Sequence, residues 1–306
     1  MHSPAREFRS ALFPHEARFV PVVVAGQTVD LAFVEAGPPS GETILLLHGN
    51  PTWSFLYRDV IPVLAARFRV IAPDLLGFGR SDKLARFEDY TLDNHLAALS
   101  QLVLALGLER ITLVVHDWAG PIGLSYAVDH PERVARLVIM NTWAFAPREH
   151  NRVPQPLKTF RQRPLGELLV LGLNAFVDFA LPYGVVRRKE KMRGEVMRAY
   201  RAPFPTWRSR WPVLAFPREI PLAAGDPAYD RMKRTDDGLR ALEQPTLLIW
   251  GERDPVFPPR VMAKFKERLR NVAAELILPD ASHFLQEDRP AEIGERIARF
   301  MGETPR

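Results

Sequence analysis

His116-Asp117-Trp118-Ala119-Gly120 lies between an apolar run, Ile111–Val115, and a segment, Pro121–His130, that reads as a helix. The run has the composition of a fully buried strand. A polar residue followed by small ones on a tight strand-to-helix turn is the pattern of a nucleophile elbow, where the backbone lifts one side chain above the strand ends. Serine is the commoner occupant of that position; here it is a carboxylate. A carboxylate attacks a carbon that bears a leaving group and forms an alkyl ester, so one letter redirects the chemistry.

Working outward, strand and helix signals alternate. Phe19–Val24 and Val29–Glu35 read as an antiparallel pair turned at Ala25-Gly26. Ile44–Leu47, Val70–Ala72, Ile111–Val115 and Leu137–Met140 follow, with Leu92–Leu106 carrying apolar residues at helical spacing. The alternation resumes with Thr246–Trp250, Arg260–Arg270 as a helix, Ala274–Leu278, and a last helix over Pro290–Met301. This predicts an α/β fold, a mostly parallel, doubly wound sheet with helices on both faces. Between about Ala144 and Leu242 the strand signal vanishes. Helical runs replace it at Leu165–Leu173, Phe176–Leu181, Lys189–Tyr200 and Asp230–Leu242. Six prolines between Leu181 and Leu222 should keep helices there short. The expected division is therefore a core of residues 1–143 and 243–306, with a helical cap, 144–242, inserted between the sixth and seventh strands.

Composition narrows the function. With 306 residues, 47% of them hydrophobic, one large core can be buried. There are no cysteines, which excludes disulfides and thiolate metal sites. Met1–His15 lacks the apolar stretch of a secretory signal, and no apolar run is long enough to span a membrane, so a cytoplasmic protein with no membrane partner is expected. The net charge of +5 is local: Phe145–Asp237 carries +8 and the remainder −3. Acidic residues interrupt the basic run Arg187-Arg188-Lys189-Glu190-Lys191 and no aromatic-interleaved basic motif occurs. The run reads as a solvated helical face, and nucleic acid is not an expected partner.

A buried carboxylate nucleophile needs a base to activate water and a partner to orient that base. Asp117 could serve merely as a helix N-cap, but the buried strand ahead and small residues behind favour the elbow. His283, in Pro279-Asp280-Ala281-Ser282-His283-Phe284, leaves the Ala274–Leu278 strand towards the same rim and is the candidate base. His2, His15, His95, His130 and His150 fall in terminal, helical or surface contexts, and His48 and His116 read as loop braces. Asp254, in Gly251-Glu252-Arg253-Asp254-Pro255, is the candidate partner that fixes the imidazole tautomer, although Asp before Pro is also a common turn. His48-Gly49-Asn50-Pro51-Thr52 brings a glycine that lets backbone approach the elbow, so the Asn50 and Trp118 backbone N–H groups could form an oxyanion hole. The Asn50 amide and the Trp118 indole are also donors suited to clamp a departing anion. No Gly-x-Ser-x-Gly, Gly-x-Gly-x-x-Gly, Walker or His-Glu-x-x-His motif is present, and Gly77-Phe78-Gly79 reads as a tight loop.

These residues resemble the α/β-hydrolase superfamily and, within it, the haloalkane dehalogenases. The likeness runs from Val22 to Phe300 and rests on His48–Thr52, Asp74–Ser81, His116–Gly120, Gly251–Pro255 and His283. It implies the α/β-hydrolase fold and cofactor-independent hydrolysis of a small apolar halogenated substrate by water, with release of a halide ion. Asp117 would be the nucleophile, His283 the base, Asp254 the triad acid, and Asn50 and Trp118 the halide donors. Strand six ends in Met140-Asn141-Thr142 without a carboxylate, and Phe145–Arg201 has no Trp, whereas Trp207 and Trp211 come later. Both features favour the branch that uses Asp254 and Asn50. Epoxide hydrolases share an Asp elbow but use two cap tyrosines, and Tyr183, Tyr200 and Tyr229 are available here. Fluoroacetate dehalogenases carry arginines near the elbow, where this chain has Trp118. A non-catalytic ligand-binding protein is a further use of the same fold. Phe145, Phe160, Phe176, Phe179, Phe204, Phe216, Phe257 and Phe284 are candidates for an apolar pocket and equally for the core.

Overall fold

Each apolar run forms a strand, and the strands order the whole molecule. The computed structural model describes residues 1–146 and 155–304, so His150 lies outside the described residues. The strands are β1 (Arg18–Val24), β2 (Gln27–Ala36), β3 (Thr43–Leu47), β4 (Arg69–Pro73), β5 (Ile111–Asp117), β6 (Val134–Thr142), β7 (Thr246–Gly251) and β8 (Val272–Leu278). They make one eight-stranded sheet in the order β1-β2-β4-β3-β5-β6-β7-β8. β1 pairs with β2, and β2 with β4, in antiparallel fashion; every other pairing is parallel. All residues of β3, β5 and β7 are buried, which is why these strands read as unbroken apolar runs rather than alternating ones. Parallel order brings the carboxyl ends of β5, β6, β7 and β8 to one rim.

Between β6 and β7 the described residues contain helices and no strand. Leu165–Leu173 and Phe176–Leu181 become wide π-type helical segments, Glu167–Gly172 and Phe176–Gly184. Pro182 and Pro217 lie within helices of nine residues each, Phe176–Gly184 and Trp211–Glu219. One expectation fails here. Lys189–Tyr200 is not a single helix: a short turn at Lys189–Lys191 is followed by extended backbone at Arg193 and by Gly194 at φ +55°, and a helix starts only at Gly194–Arg201. The basic run is accordingly a loop and a turn rather than a helical face, with Arg187, Lys189 and Glu190 exposed.

The helix after the elbow is Ala119–Asp129, starting two residues before Pro121. Its first N–H groups have no partner inside the helix, so a proline in the opening turn removes nothing.

Candidate active site

The elbow forms as its residues require. β5 runs to Asp117, whose φ of +51° is a left-handed conformation that non-glycine residues rarely adopt. Crowding holds it there. A Cβ on Gly49 would overlap the Asp117 side chain, and one on Gly120 would overlap the Thr142 hydroxyl, which donates to the Asp117 carbonyl. Either substitution would dislodge the carboxylate.

Loops from three strand ends meet at Asp117. Asn50, after β3, donates its backbone N–H to Asp117 Oδ1 at 2.7 Å. His283, after β8, sets Nε2 3.4 Å from Asp117 Oδ2 and Nδ1 3.0 Å from Asp254 Oδ2. Asp254, after β7, is fully enclosed: Asn141 Nδ2 donates to its Oδ2 at 2.6 Å and the Val256 N–H to its Oδ1 at 2.6 Å. A carboxylate only accepts, so His283 Nδ1 carries a proton. Asp117, His283 and Asp254 are 7%, 3% and 3% exposed.

Two buried anions around one imidazole set its charge. Burial pushes the His283 pKa down, but Asp254 and the bonds to Asp117 and Asp254 outweigh it and raise the pKa to about 10. Burial would lift the Asp254 carboxyl, yet the facing His283 and the bonds from His283 and Asn141 hold it below the usual range. The surroundings of His283 thus favour its protonated form.

His116 and His48 hold loops. His116 Nε2–H donates to the His283 carbonyl at 2.8 Å, and burial with the nearby His283 lowers its pKa to about 3. His48 accepts from the Leu75 N–H at 2.9 Å and donates from Nδ1 to the Gly49 carbonyl, and burial lowers its pKa as well.

Asn50, Asp117, Trp118 and His283 line a cavity of about 1200 Å3. Asn50 Nδ2 donates to the Val213 carbonyl at 3.2 Å, leaving its second hydrogen for a ligand, and its Oδ1 is buried without a partner among the described residues. The Trp118 indole N–H donates to no described residue. Of the two expected backbone donors, the Trp118 N–H makes no bond to Asp117 among the described residues, whereas the Asn50 N–H does. Phe145, Phe160, Phe176, Phe179, Phe257 and Phe284 line the cavity; Phe204 and Phe216 do not. Trp207 and Trp211 are also absent from its wall, while Trp143 is part of it.

Of the three tyrosines between β6 and β7, Tyr183 faces the cavity. Tyr200 is buried with its hydroxyl on Glu287, and Tyr229 is not in the wall. The paired tyrosines of an epoxide-opening site are not assembled. Among the described residues, one group has metal-like spacing, His2, Asp30 and Asp82, but the Arg6 guanidinium already bridges both carboxylates at 2.9 Å.

Three contributors were not apparent in the sequence. Asn141 orients Asp254, and Thr142 ties down the elbow; both are polar residues at a parallel strand's carboxyl end, the one signal that could have flagged them. Phe216 stacks on Trp118 at 4.5 Å and on His95 at 4.6 Å. Phe216→Ala should empty that slot and cost about 3–5 kcal/mol, measured by urea denaturation. A loss below about 1 kcal/mol would mean the stack bears no weight.

The sequence profile of the α/β hydrolase fold family matches residues 42–290. The chain is 39% identical, over 86% of its length and 83% of the relative's, to a cis-3-alkyl-4-alkyloxetan-2-one decarboxylase of Shewanella oneidensis. It is 35% identical to a haloalkane dehalogenase of Mycobacterium marinum, over 98% of this chain and 99% of that one. The crystal structure of the haloalkane dehalogenase DbeA from Bradyrhizobium elkani superposes with a TM-score of 0.83 at 32% identity, covering 94% of this chain and 99% of that one.

Proposed function

Since the chain belongs to the α/β-hydrolase family, in its haloalkane-dehalogenase branch, we propose that it hydrolyses a carbon–halogen bond of an apolar haloalkane to alcohol, halide and a proton. One observation carries the reading: a buried carboxylate on an elbow, flanked by the Asn50 amide and the Trp118 indole, with His283 at 3.4 Å. Residues 144–242 serve as the cap over a core of 1–143 and 243–306.

Asp117 displaces halide from an sp3 carbon, and Trp118 and Asn50 hold the departing anion. Esterification removes the Asp117 charge, one of the two that keep His283 protonated. As the His283 pKa falls, its Nε2 proton passes to solvent, and the neutral imidazole, oriented by Asp254, then takes a proton from water attacking the ester carbonyl. The Asn50 N–H, already on Asp117 Oδ1, stabilises the oxyanion that develops there. Trp118→Phe keeps the ring on Phe216 and deletes the N–H. It should lower bromide release by about 100-fold and abolish saturable quenching of tryptophan fluorescence by bromide. Unchanged quenching would remove Trp118 from the halide site.

A second reading is favoured by the likeness to the Shewanella oneidensis decarboxylase, and the cavity of about 1200 Å3 has room for its substrate class. It would accommodate the two alkyl chains of a cis-3,4-dialkyl oxetan-2-one. Asp117 would attack C4, the C4–O bond would break, and the ring carboxylate would take the halide's place. Loss of CO2 from C3 would then form the C3=C4 bond and expel the Asp117 carboxylate. That cycle consumes no water and does not need His283 as a base.

The deciding experiment offers 1-bromobutane, 1,2-dibromoethane, a cis-dialkyl oxetanone and styrene oxide to the purified protein. Bromide release supports the dehalogenase. Alkene and CO2 without bromide would replace it with the decarboxylase, and diol alone would point to epoxide opening.

A further inference from the structure

Two acids four and five positions after the candidate base, Glu287 and Asp288, are each 1% exposed. Glu287 is spoken for by a buried ion pair. Arg58 grips it with two bonds of 2.5 and 2.6 Å, and the Tyr200 hydroxyl donates to it as well. Among the described residues, Asp288 has no cation as a hydrogen-bond partner. Its Oδ2 accepts the Ser282 N–H at 2.8 Å, and its Oδ1 accepts the Arg187 and Arg188 N–H groups at 2.8 and 2.9 Å. On the other side of His283, the Phe284 N–H donates to the Val185 carbonyl at 3.1 Å.

His283 is therefore bracketed. Both of its chain neighbours are tied to one short stretch, residues 185–188, and that stretch continues the Phe176–Gly184 helix whose side chains line the cavity. The core holds the third point, through His116 on the His283 carbonyl. We propose that Asp288 is a positioning residue: it couples the cavity-lining helical segment to the His283 loop, so that the segment's placement sets where Nε2 stands relative to Asp117. The proposal rests on His283 acting as the base for ester hydrolysis. It follows that the coupling governs the water step, whereas halide displacement depends on Asp117, Asn50 and Trp118, none of which Asp288 touches.

Asp288→Asn tests this, because one of the two acceptor oxygens becomes an NH2 facing N–H donors. With 1-bromobutane, the first-turnover release of bromide should stay within about threefold of the wild type. Steady-state turnover should fall about 10- to 100-fold, with an alkyl adduct accumulating on Asp117. Without substrate, the His283 ring 15N resonances should shift or broaden. Tyr200→Phe, which removes the tie between the separate Gly194–Arg201 helix and Glu287, should lower stability and leave the ratio of the two steps unchanged. Asp288→Glu, which keeps the carboxylate, should show a smaller loss in the same step and serves in place of Asn if that variant fails to fold. Equal losses in both steps, or unaltered His283 resonances with normal turnover, would overturn the coupling. Absence of bromide release by the wild type would instead refute the dehalogenase reading and leave the resonance shift as the test of the coupling.

Discussion

His283→Gln should release one equivalent of bromide per active site from 1,2-dibromoethane and then stall. Glutamine keeps a polar side chain in the slot but cannot accept water's proton. Displacement by Asp117 needs no base, so the burst survives while the steady-state rate drops by about 10²–10⁴-fold. Rapid quench followed by peptide mass spectrometry should find the alkyl ester on Asp117. Continued turnover, or bromide release with no adduct, would refute the covalent scheme. The same variant separates the two chemistries proposed for the site, because loss of CO2 from an opened oxetanone regenerates Asp117 without water.

Asp117→Asn should reduce bromide release by about 10⁴-fold or more and should also change a neighbour. The Asp117 bond and charge both hold the His283 pKa up, so their removal lowers it from about 10, leaving Asp254 as the raising influence. A raised folded-state pKa has a definite consequence for stability. The contribution is present in full below the unfolded imidazole's pKa of about 6.5 and disappears as pH rises through about 10. Denaturant midpoints of the wild type should decline across that window, and the Asn variant should show a shallower, earlier decline. Ring 15N titration reports the pKa directly. An unchanged His283 titration in the variant would show that the two groups do not interact.

Much of this was legible because burial leaves a simple trace. β3, β5 and β7 are enclosed on both faces and appear as unbroken Ile, Leu and Val runs, which fixed the parallel order and the rim where function gathers. Asp117 ends a strand, Asn50, Asp254 and His283 lie in the loops that leave strand ends, and the structure brings all four to one place. What stayed hidden depends on contacts between distant segments. Asn141 reaches Asp254 across 113 positions, and Arg187 reaches Asp288 across 101. No local pattern encodes such pairs. Phe216 stacks on Trp118 rather than facing the cavity, a choice that composition leaves even. The broken helix at Arg193-Gly194 misled for a different reason: charged residues of good helix propensity surround it, but extended Arg193 and Gly194 at φ +55° interrupt the run.

The ties of residues 185–188 also bear on how the molecule could be rebuilt. A helical segment inserted between two strands invites exchange for a longer or narrower one to suit another substrate. Here the boundary of such a graft is not set by the strand ends alone. The carbonyl of Val185 and the N–H groups of Arg187 and Arg188 form a docking edge read by Phe284 and Asp288. A chimera that keeps residues 185–188 from the host inherits an aligned imidazole. One that replaces them has to bring its own match for Asp288.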